Sequence, residues 1–373
     1  MSKILISTVL TESLYKSRRE LIQRFLDLDY NIVLVGPDYD NRIKEYFNIE
    51  YVVFYKVNFD RTGLDIKSDI ETIKSLTKII RAEKPDLVYS FGGAKATIYT
   101  TMAGYFCKVN KIYCTINGLG SVYRSSNIRD QHIKLVMNLL FKFSLSRANG
   151  VFFQNNDDLD VFTSKRLVVA NKCRIINGSG VNLERFSYFE PSSERIAFLF
   201  VGRLIKDKGI YEFVEAAKKL KEEFTRVEFW IVGGYDSNPT AVSKEKIAEW
   251  HDKGYIRYFG YQDNVQDFYR LSSVFVLPSY HEGTPRTSLE AMAVGRPIIT
   301  TNVPGCKETV IDGRNGFLVP VKDVNALVEK MRYFILNTEK IIEMGIESYR
   351  IAEDKYDVNK VNDSILDFIF NSD

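Results

Sequence analysis

Short apolar runs recur along this chain with amphipathic stretches between them, and that alternation limits the fold more than any single residue does. KILIST, NIVLVG, DLVYSF, KIYCTIN and GVFFQN occupy the first half, separated by longer amphipathic segments such as 14–28 and 67–83. Near-continuous apolar runs of this length suit strands buried on both faces, and the intervening helical periodicity suits helices laid over them. Together they predict βα units around a parallel sheet. The second half restarts the rhythm with RIAFLFVG, RVEFWIVGG, YIRYFGY, VFVLPS, RPIITT and GFLVP as strands, and helices near 209–223, 241–252, 264–272, 286–294 and 323–335. NGSGVNLERFSYFEPSSE, rich in Gly, Ser and Pro, reads as the hinge between them. The expected division is 1–177 for a first Rossmann-like domain, 178–195 for the hinge, 196–350 for a second, and 351–373 for a C-terminal helix that packs back on the first. Two doubly wound α/β domains facing a central cleft set the carboxyl ends of their strands, where open sheets bind ligands, along that cleft.

A chain of 373 residues with 45% hydrophobic content is long and apolar enough to fill two cores. Its four cysteines and three histidines are scattered without metal-ligand spacing, which predicts reduced thiols, a cytoplasmic protein and no metal centre. No apolar run approaches the roughly 18 residues of a spanning helix, and MSKILISTVL enters a strand without a signal-peptide pattern. Charge is uneven: residues 1–190 hold 27 Lys and Arg against 20 Asp and Glu, while 191–373 hold 24 against 28. Between 87 and 156 there are eight bases and one acid, Asp130, so the first domain should meet an anionic partner.

FLFVGRLIKDKGIYEFVEAA reads as strand, turn and helix, with Arg203 and Lys208 on the turn. A guanidinium and an ammonium beside the N–H groups of a new helix suit a diphosphate; solvated loop charges are the alternative. PSYHEGTPRTSLEAMAVGRPIIT places Glu282 in a Gly/Thr/Pro loop and Glu290 inside the following helix, with Gly283 and Pro285 allowing close backbone approach at the helix start. A carboxylate does not sit against a phosphate, so its partners at such a site are neutral hydroxyls. Two carboxylates flanking an anion pocket describe a ligand with hydroxyls on both sides of a diphosphate, which is a nucleotide sugar. In the first half, YCTINGLGSVYRSS ends a strand with Thr115, Asn117, Gly118 and Gly120. It is either an ordinary flexible turn or a loop facing the diphosphate or the acceptor.

GRLIKDKG, VGGYDSNP, PSYHEGTPRTSLEAMAVGRPII and NGFLVP together resemble the nucleotide-binding half of the family-four retaining glycosyltransferases, glycosyltransferase group 1, whose two-Rossmann architecture is called GT-B. The family's E-x7-E element matches Glu282 and Glu290, and its phosphate-loop Arg and Lys match Arg203 and Lys208. TINGLGSVY and NGSGVNLERF resemble the subgroup that adds galactose or N-acetylhexosamine to polyprenyl-diphosphate-linked glycans of capsule, O-antigen and N-glycan pathways. Two departures stand out. The Gly-Gly turn that many members carry after the first strand is missing from STVLTESLYKSRREL, and Asn117 or a neighbour stands where many members have a His.

The resemblance implies transfer from a UDP-sugar with retention at the anomeric carbon and no side-chain nucleophile. Glu282, Arg203 and Lys208 are then the catalytic group, and Gly283, Thr284, Pro285, Arg286, Thr287, Glu290 and Tyr261 complete the donor site. No cofactor or metal is expected, since no D-x-D element lies in a nucleotide loop and the positive loop replaces the metal. The implied partners are the UDP-sugar, a lipid-linked glycan acceptor and the anionic inner surface of the cell membrane, with no nucleic acid. Lys16, Arg18, Arg19, Lys134 and Lys142 are the candidate membrane or acceptor surface, and IKLVMNLLFKFSLS reads either as a membrane-surface helix or as a core helix. A nucleotide-sugar epimerase of the same shape, or a basic nucleic-acid-binding protein, are the competing readings. The first lacks convincing acid/base groups in the first half, and the second lacks a base-stacking motif beside the basic segment.

Overall fold

The structure, a computed structural model, describes residues 2–59, 65–118, 123, 128–191, 195–236 and 238–371. The chain divides into two units, Met1–Ser179 with Val361–Asp373, and Gly180–Lys360. The division falls at the amino end of the stretch read as a hinge: Val181 and Phe186 are buried in the core of the second unit.

The first unit is built on strands β1 (Lys3–Thr8), β2 (Asn31–Gly36), β3 (Val52–Lys56), β4 (Leu87–Phe91), β5 (Lys111–Ile116), β6 (Gly150–Phe153) and β7 (Cys173–Ile175), ordered β3-β2-β1-β4-β5-β6-β7. Every pairing is parallel, with Ile4 opposite Ile32 on one side and Leu87 on the other. Alternate residues feed opposite faces, as the two-residue period of a strand requires. Val33, Val35 and Val88 enter one core, while Ile32, Leu34, Leu87 and Tyr89 enter the other. Its helices are α1 (Glu12–Lys16), α2 (Arg19–Asp27), α3 (Arg42–Tyr46), α4 (Ile66–Glu83), α5 (Ala94–Phe106), α6 (Ile128–Arg147) and α7 (Asn156–Ser164).

The amphipathic stretch 14–28 is not one helix. It breaks between α1 and α2, where the Ser17 hydroxyl donates to the Ser13 carbonyl and the Ser17 and Arg18 amides both turn back to that same oxygen. A serine bonding four residues back competes with the regular ladder and closes the first turn. Helix α6 is buried along part of its surface and exposed along another. Phe141 and Leu145 are buried, whereas Leu135, Val136 and Leu139 are exposed.

The second unit repeats the plan with β8 (Ala197–Val201), β9 (Glu228–Val232), β10 (Arg257–Tyr258), β11 (Val274–Leu277), β12 (Ile298–Thr301) and β13 (Gly316–Val319), ordered β10-β9-β8-β11-β12-β13 and parallel throughout. Helices α8 (Ile210–Glu223), α9 (Lys244–Asp252), α10 (Gln266–Leu271), α11 (Arg286–Ala293), α12 (Val324–Leu336) and α13 (Glu339–Ile351) cover it. In both sheets the order reverses beside the unit's first strand, between β1 and β4 and between β8 and β11. Those two points are the crevices where doubly wound sheets accept ligands. The last helix, α14 (Val358–Asn371), leaves the second unit and inserts Val361, Ile365, Leu366, Phe368 and Ile369 into the core of the first.

Candidate active site

The carboxyl edge of the second sheet brings together loops from four strands. The loop after β8 runs through Gly202, Arg203 and Lys208 to Gly209, which starts α8 at φ +74°. A Cβ at Gly209 would stand 2.0 Å from the Pro278 carbonyl oxygen, so only glycine lets this loop lie against the one after β11. Two further bonds tie the loops together: the Tyr280 amide donates to the Asp207 carbonyl (2.9 Å), and the Glu282 amide to the Pro304 carbonyl (3.1 Å).

The loops carry their side chains into one cluster. Lys208 Nζ stands 2.5 Å from Glu282 Oε1, and the buried Ser279 hydroxyl donates to the same oxygen at 2.7 Å. Both contacts go to Oε1, so Oε2 keeps its lone pairs for a ligand hydroxyl. The phosphate-loop lysine and the loop carboxylate, read separately in the sequence, are therefore one ion pair. Cys306 lies beneath them in the interior, where burial, followed by the neighbouring Glu282 charge, pushes its thiol up to about 12. Arg203 stands at the rim with Nη1 3.1 Å from Asp236 Oδ2.

Helix α11 starts at Arg286 after Pro285, with no side-chain cap and no acid in its first turn, so its N-terminal N–H groups and positive dipole end face the same crevice as Gly283, Thr284 and Thr287. Glu290, one turn further on, is only 6% exposed. Its Oε1 accepts from Arg286 Nε at 2.8 Å and its Oε2 from the fully buried Tyr269 hydroxyl at 3.0 Å. Glu290 is therefore tied into the core through Tyr269 as well as standing near the helix start. Burial and the Glu290 carboxylate hold the Tyr269 phenol well above its ordinary value, so it stays a donor. Tyr261 is half exposed; its ring lies against Gly234, after β9, and its hydroxyl donates to Asp263 at 2.9 Å.

In the first unit the expected loop residues part company. Thr115 is a core residue, fully buried, with Oγ1 2.6 Å from the Tyr89 hydroxyl, so it does not face a ligand. Asn117 lies at the sheet edge and accepts the Gly92 amide through Oδ1 at 2.9 Å, Gly118 takes φ +138°, and Gly120 lies outside the described residues. The basic candidates also separate. Lys16 pairs with Glu12 (2.9 Å), Arg19 is exposed with its guanidinium 4.7 Å from the Tyr46 ring centroid, Lys134 is half-buried and Lys142 is exposed. Arg18 is not a surface base, being 2% exposed. The acids at 158–160 include Asp158, which is buried and receives the Asn155 side-chain amide at 3.0 Å at the start of α7.

Ser279 and Asp236 were not singled out from sequence, although both lie in quoted motifs. Their position just past the ends of β11 and β9 was the available signal.

Residues 195–337 match the family described as Glycosyl transferases group 1, and residues 3–155 match Glycosyl transferase 4-like. The chain is 26% identical over 344 residues to the N,N'-diacetylbacillosaminyl-diphospho-undecaprenol alpha-1,3-N-acetylgalactosaminyltransferase of Campylobacter jejuni, covering 88% of each. It is 27% identical over 330 residues to the UDP-Gal:alpha-D-GlcNAc-diphosphoundecaprenol alpha-1,3-galactosyltransferase of Escherichia coli, covering 83% of this chain and 82% of that protein. Among solved structures, sucrose-phosphate synthase from Thermosynechococcus elongatus superposes with a TM-score of 0.80 at 18% identity, covering 98% of this chain and 97% of the other. Anabaena HepE, crystallised with UDP and glucose, superposes at 0.77 and 15% identity over 100% of both chains. The fold is GT-B.

Proposed function

We propose, on the premise that this is a glycosyltransferase whose second half belongs with group 1 and whose first half is glycosyl transferase 4-like, that the chain moves a hexose or N-acetylhexosamine from a UDP-sugar to a polyprenyl-diphosphate-linked glycan with retention at the anomeric carbon. The observation that carries the reading is Glu282, held through Oε1 by Lys208 and Ser279 with Oε2 left for a sugar hydroxyl, beside an uncapped helix N-terminus. The Campylobacter and Escherichia relatives, both transferases acting on undecaprenol-diphosphate-linked sugars, support the acceptor class.

In this reading the donor diphosphate lies over the start of α11, with Lys208 and Arg203 on its oxygens. Glu290 takes a ribose hydroxyl, and the exposed ring of Tyr261 offers a face to the base. The anomeric carbon loses its bond to the diphosphate oxygen and gains one to the acceptor oxygen on the same face. The acceptor proton passes to the departing diphosphate. Charge grows on that leaving group, and preorganised cations aimed at it are often worth a few kcal/mol each. The reading assigns no step to a metal ion.

The same proposal gives α6 a place at the membrane. Leu135, Val136 and Leu139 are 61%, 55% and 62% exposed along one face of the helix, with Lys142 exposed further along it. An apolar stripe with bases beside it suits an anionic bilayer surface, where each base contributes about 1 kcal/mol. No described helix is long and apolar enough to cross a membrane.

The test is a panel of UDP-sugars incubated with a polyprenyl-diphosphate-linked saccharide, the product being read by NMR. An α-linked product from an α-linked donor is expected. A β-linked product overturns retention. A free or epimerised sugar formed without acceptor, or no turnover of any UDP-sugar, overturns the transfer reading itself.

A further inference from the structure

The ion pair of Lys208 with Glu282 joins loops that follow different strands, and Tyr280 reaches both of them. In sequence it lies between Glu282 and Ser279, whose hydroxyl holds Glu282 Oε1 at 2.7 Å. Its main chain and its side chain both cross to the loop after β8. The amide donates to the Asp207 carbonyl at 2.9 Å, and the hydroxyl donates to Glu212 Oε1 at 2.7 Å. Asp207 immediately precedes Lys208, and Glu212 follows it in the first turn of α8. The two bonds therefore grip the chain on either side of the lysine.

Glu212 has little else to hold it. Its Oε2 is buried without a hydrogen-bond partner, so among the described residues its side-chain hydrogen bonding rests on Tyr280. The positive end of α8 makes an acid favourable there, but a dipole does not fix the direction of a side chain, whereas a phenol donor does. Burial first, and then the bond to Glu212, hold the Tyr280 phenol above its ordinary value, so it stays a donor at neutral pH. A third loop meets the ring: Lys322, after β13, sets its Nζ 4.9 Å from the Tyr280 centroid. Lys322 takes φ +64°, a left-handed conformation that costs a residue with a side chain and persists where surrounding contacts hold it. Loops from β8, β11 and β13 thus converge on one tyrosine.

We propose that Tyr280 and Glu212 form a strap that positions Lys208 against Glu282 for sugar transfer. This rests on the glycosyltransferase reading above. Both are positioning residues, acting through Lys208 and Glu282 rather than on the ligand. Glu282 is held through Oε1 by a lysine from one loop and a serine from another, so its Oε2 keeps one direction only while the two loops keep one spacing. Loss of that spacing slows the chemical step, because groups that must meet a reacting centre lose their alignment. A first-turn acid that served α8 alone would give the opposite pattern, a lower melting temperature with kcat intact.

Tyr280→Phe removes the hydroxyl alone, Glu212→Ala removes its acceptor, and Glu212→Gln keeps an acceptor in place. The first two should each lower kcat about tenfold, less than the roughly hundredfold that a 1 Å misplacement costs, with the donor KM little changed. Combined, they should fall no further than either alone, and Glu212→Gln should keep the parent's kcat. The parent's kcat in Tyr280→Phe, additive losses in the double variant, or a Gln variant as slow as the Ala variant each overturns the strap. A second readout needs no turnover. Limited acetylation of the unliganded proteins, followed by peptide mass spectrometry, should label Lys208 faster in Tyr280→Phe than in the parent, and at the parent's rate in Glu212→Gln. Equal labelling of Lys208 in the parent and Tyr280→Phe overturns the strap. A parent that uses no UDP-sugar sinks the transferase reading alone, and the labelling rates then decide whether Tyr280 holds Lys208 in place.

Discussion

Glu290 offers the sharpest separation of binding from folding. Its two oxygens serve Arg286 and the buried Tyr269 hydroxyl, and in the proposed complex the same carboxylate accepts a ribose hydroxyl. Glu290→Ala removes all of these and leaves the Tyr269 hydroxyl buried and unsatisfied, a loss of about 1–3 kcal/mol. For a unit the size of Gly180–Lys360 each kcal/mol moves the melting temperature by about 2–4 °C, so a fall of roughly 2–12 °C is expected. Glu290→Gln keeps an acceptor for Tyr269 and should melt close to wild type. It loses the charge that strengthens the ribose bond, and hydrogen bonds to charged groups are worth about 1.5–3 kcal/mol. UDP affinity should therefore drop by about ten- to a hundredfold, read by titration calorimetry. Tyr269→Phe completes the cycle: combined with Glu290→Ala it should recover part of the lost stability, since the stranded hydroxyl is gone. A Gln variant that binds UDP like the parent refutes the ribose assignment. An Ala variant that melts with the parent refutes the argument from burial.

Ser279→Ala should lower kcat several-fold with little change in KM for the donor, because Ser279 orients Glu282 through a 2.7 Å bond and is itself buried; an unchanged kcat dismisses that positioning role. Asp40 accepts from Arg42 and from the Tyr15 hydroxyl, which hold its carboxyl down at about 2, the Arg42 hydrogen bond being the largest cause. A depressed folded value gives stability that is present above the ordinary carboxylate range and is lost as pH falls toward 2. Asp40→Asn should therefore be less stable than wild type at pH 7, with the gap in urea midpoint narrowing below pH 4, and a gap that widens there contradicts the assignment. Leu135→Ser with Leu139→Ser should reduce co-sedimentation with anionic vesicles and leave UDP binding intact, whereas equal recovery in the supernatant for both proteins removes α6 from the membrane.

Most of the sheet was legible because its strands are apolar on both faces and end in glycine or polar loops, so β1, β2, β8, β9 and β11 fall where short hydrophobic runs occur. Helix α13 escaped notice: only Ile341, Met344, Gly345 and Ser348 of its residues are buried, and a face made partly of Gly and Ser has little hydrophobic contrast. Gly345 is there because its backbone runs against that of Gly295, a tertiary fact without local signature. The site divides in the same way. Glu282 and Glu290 were readable from one contiguous loop and helix. The ion pair between Lys208 and Glu282 spans 74 positions and becomes visible only when β8 and β11 lie side by side. Thr115 misled because a threonine at the end of a strand looks the same whether it faces solvent or, as here, Tyr89.

Helix α14 gives this chain an unusual order of assembly. The first unit's core includes Val361, Ile365, Leu366, Phe368 and Ile369, yet the ribosome makes all of the second unit before it makes them. At about 5–20 residues per second, the 180–360 stretch occupies roughly 10–40 s of synthesis. Through that interval the nascent first unit exposes the apolar surface around Tyr113 and Phe152 that Phe368 later covers. Chaperone occupancy on translating ribosomes should persist on the first unit until its last helix has emerged, a dependence that a circular permutant placing α14 ahead of β1 would abolish.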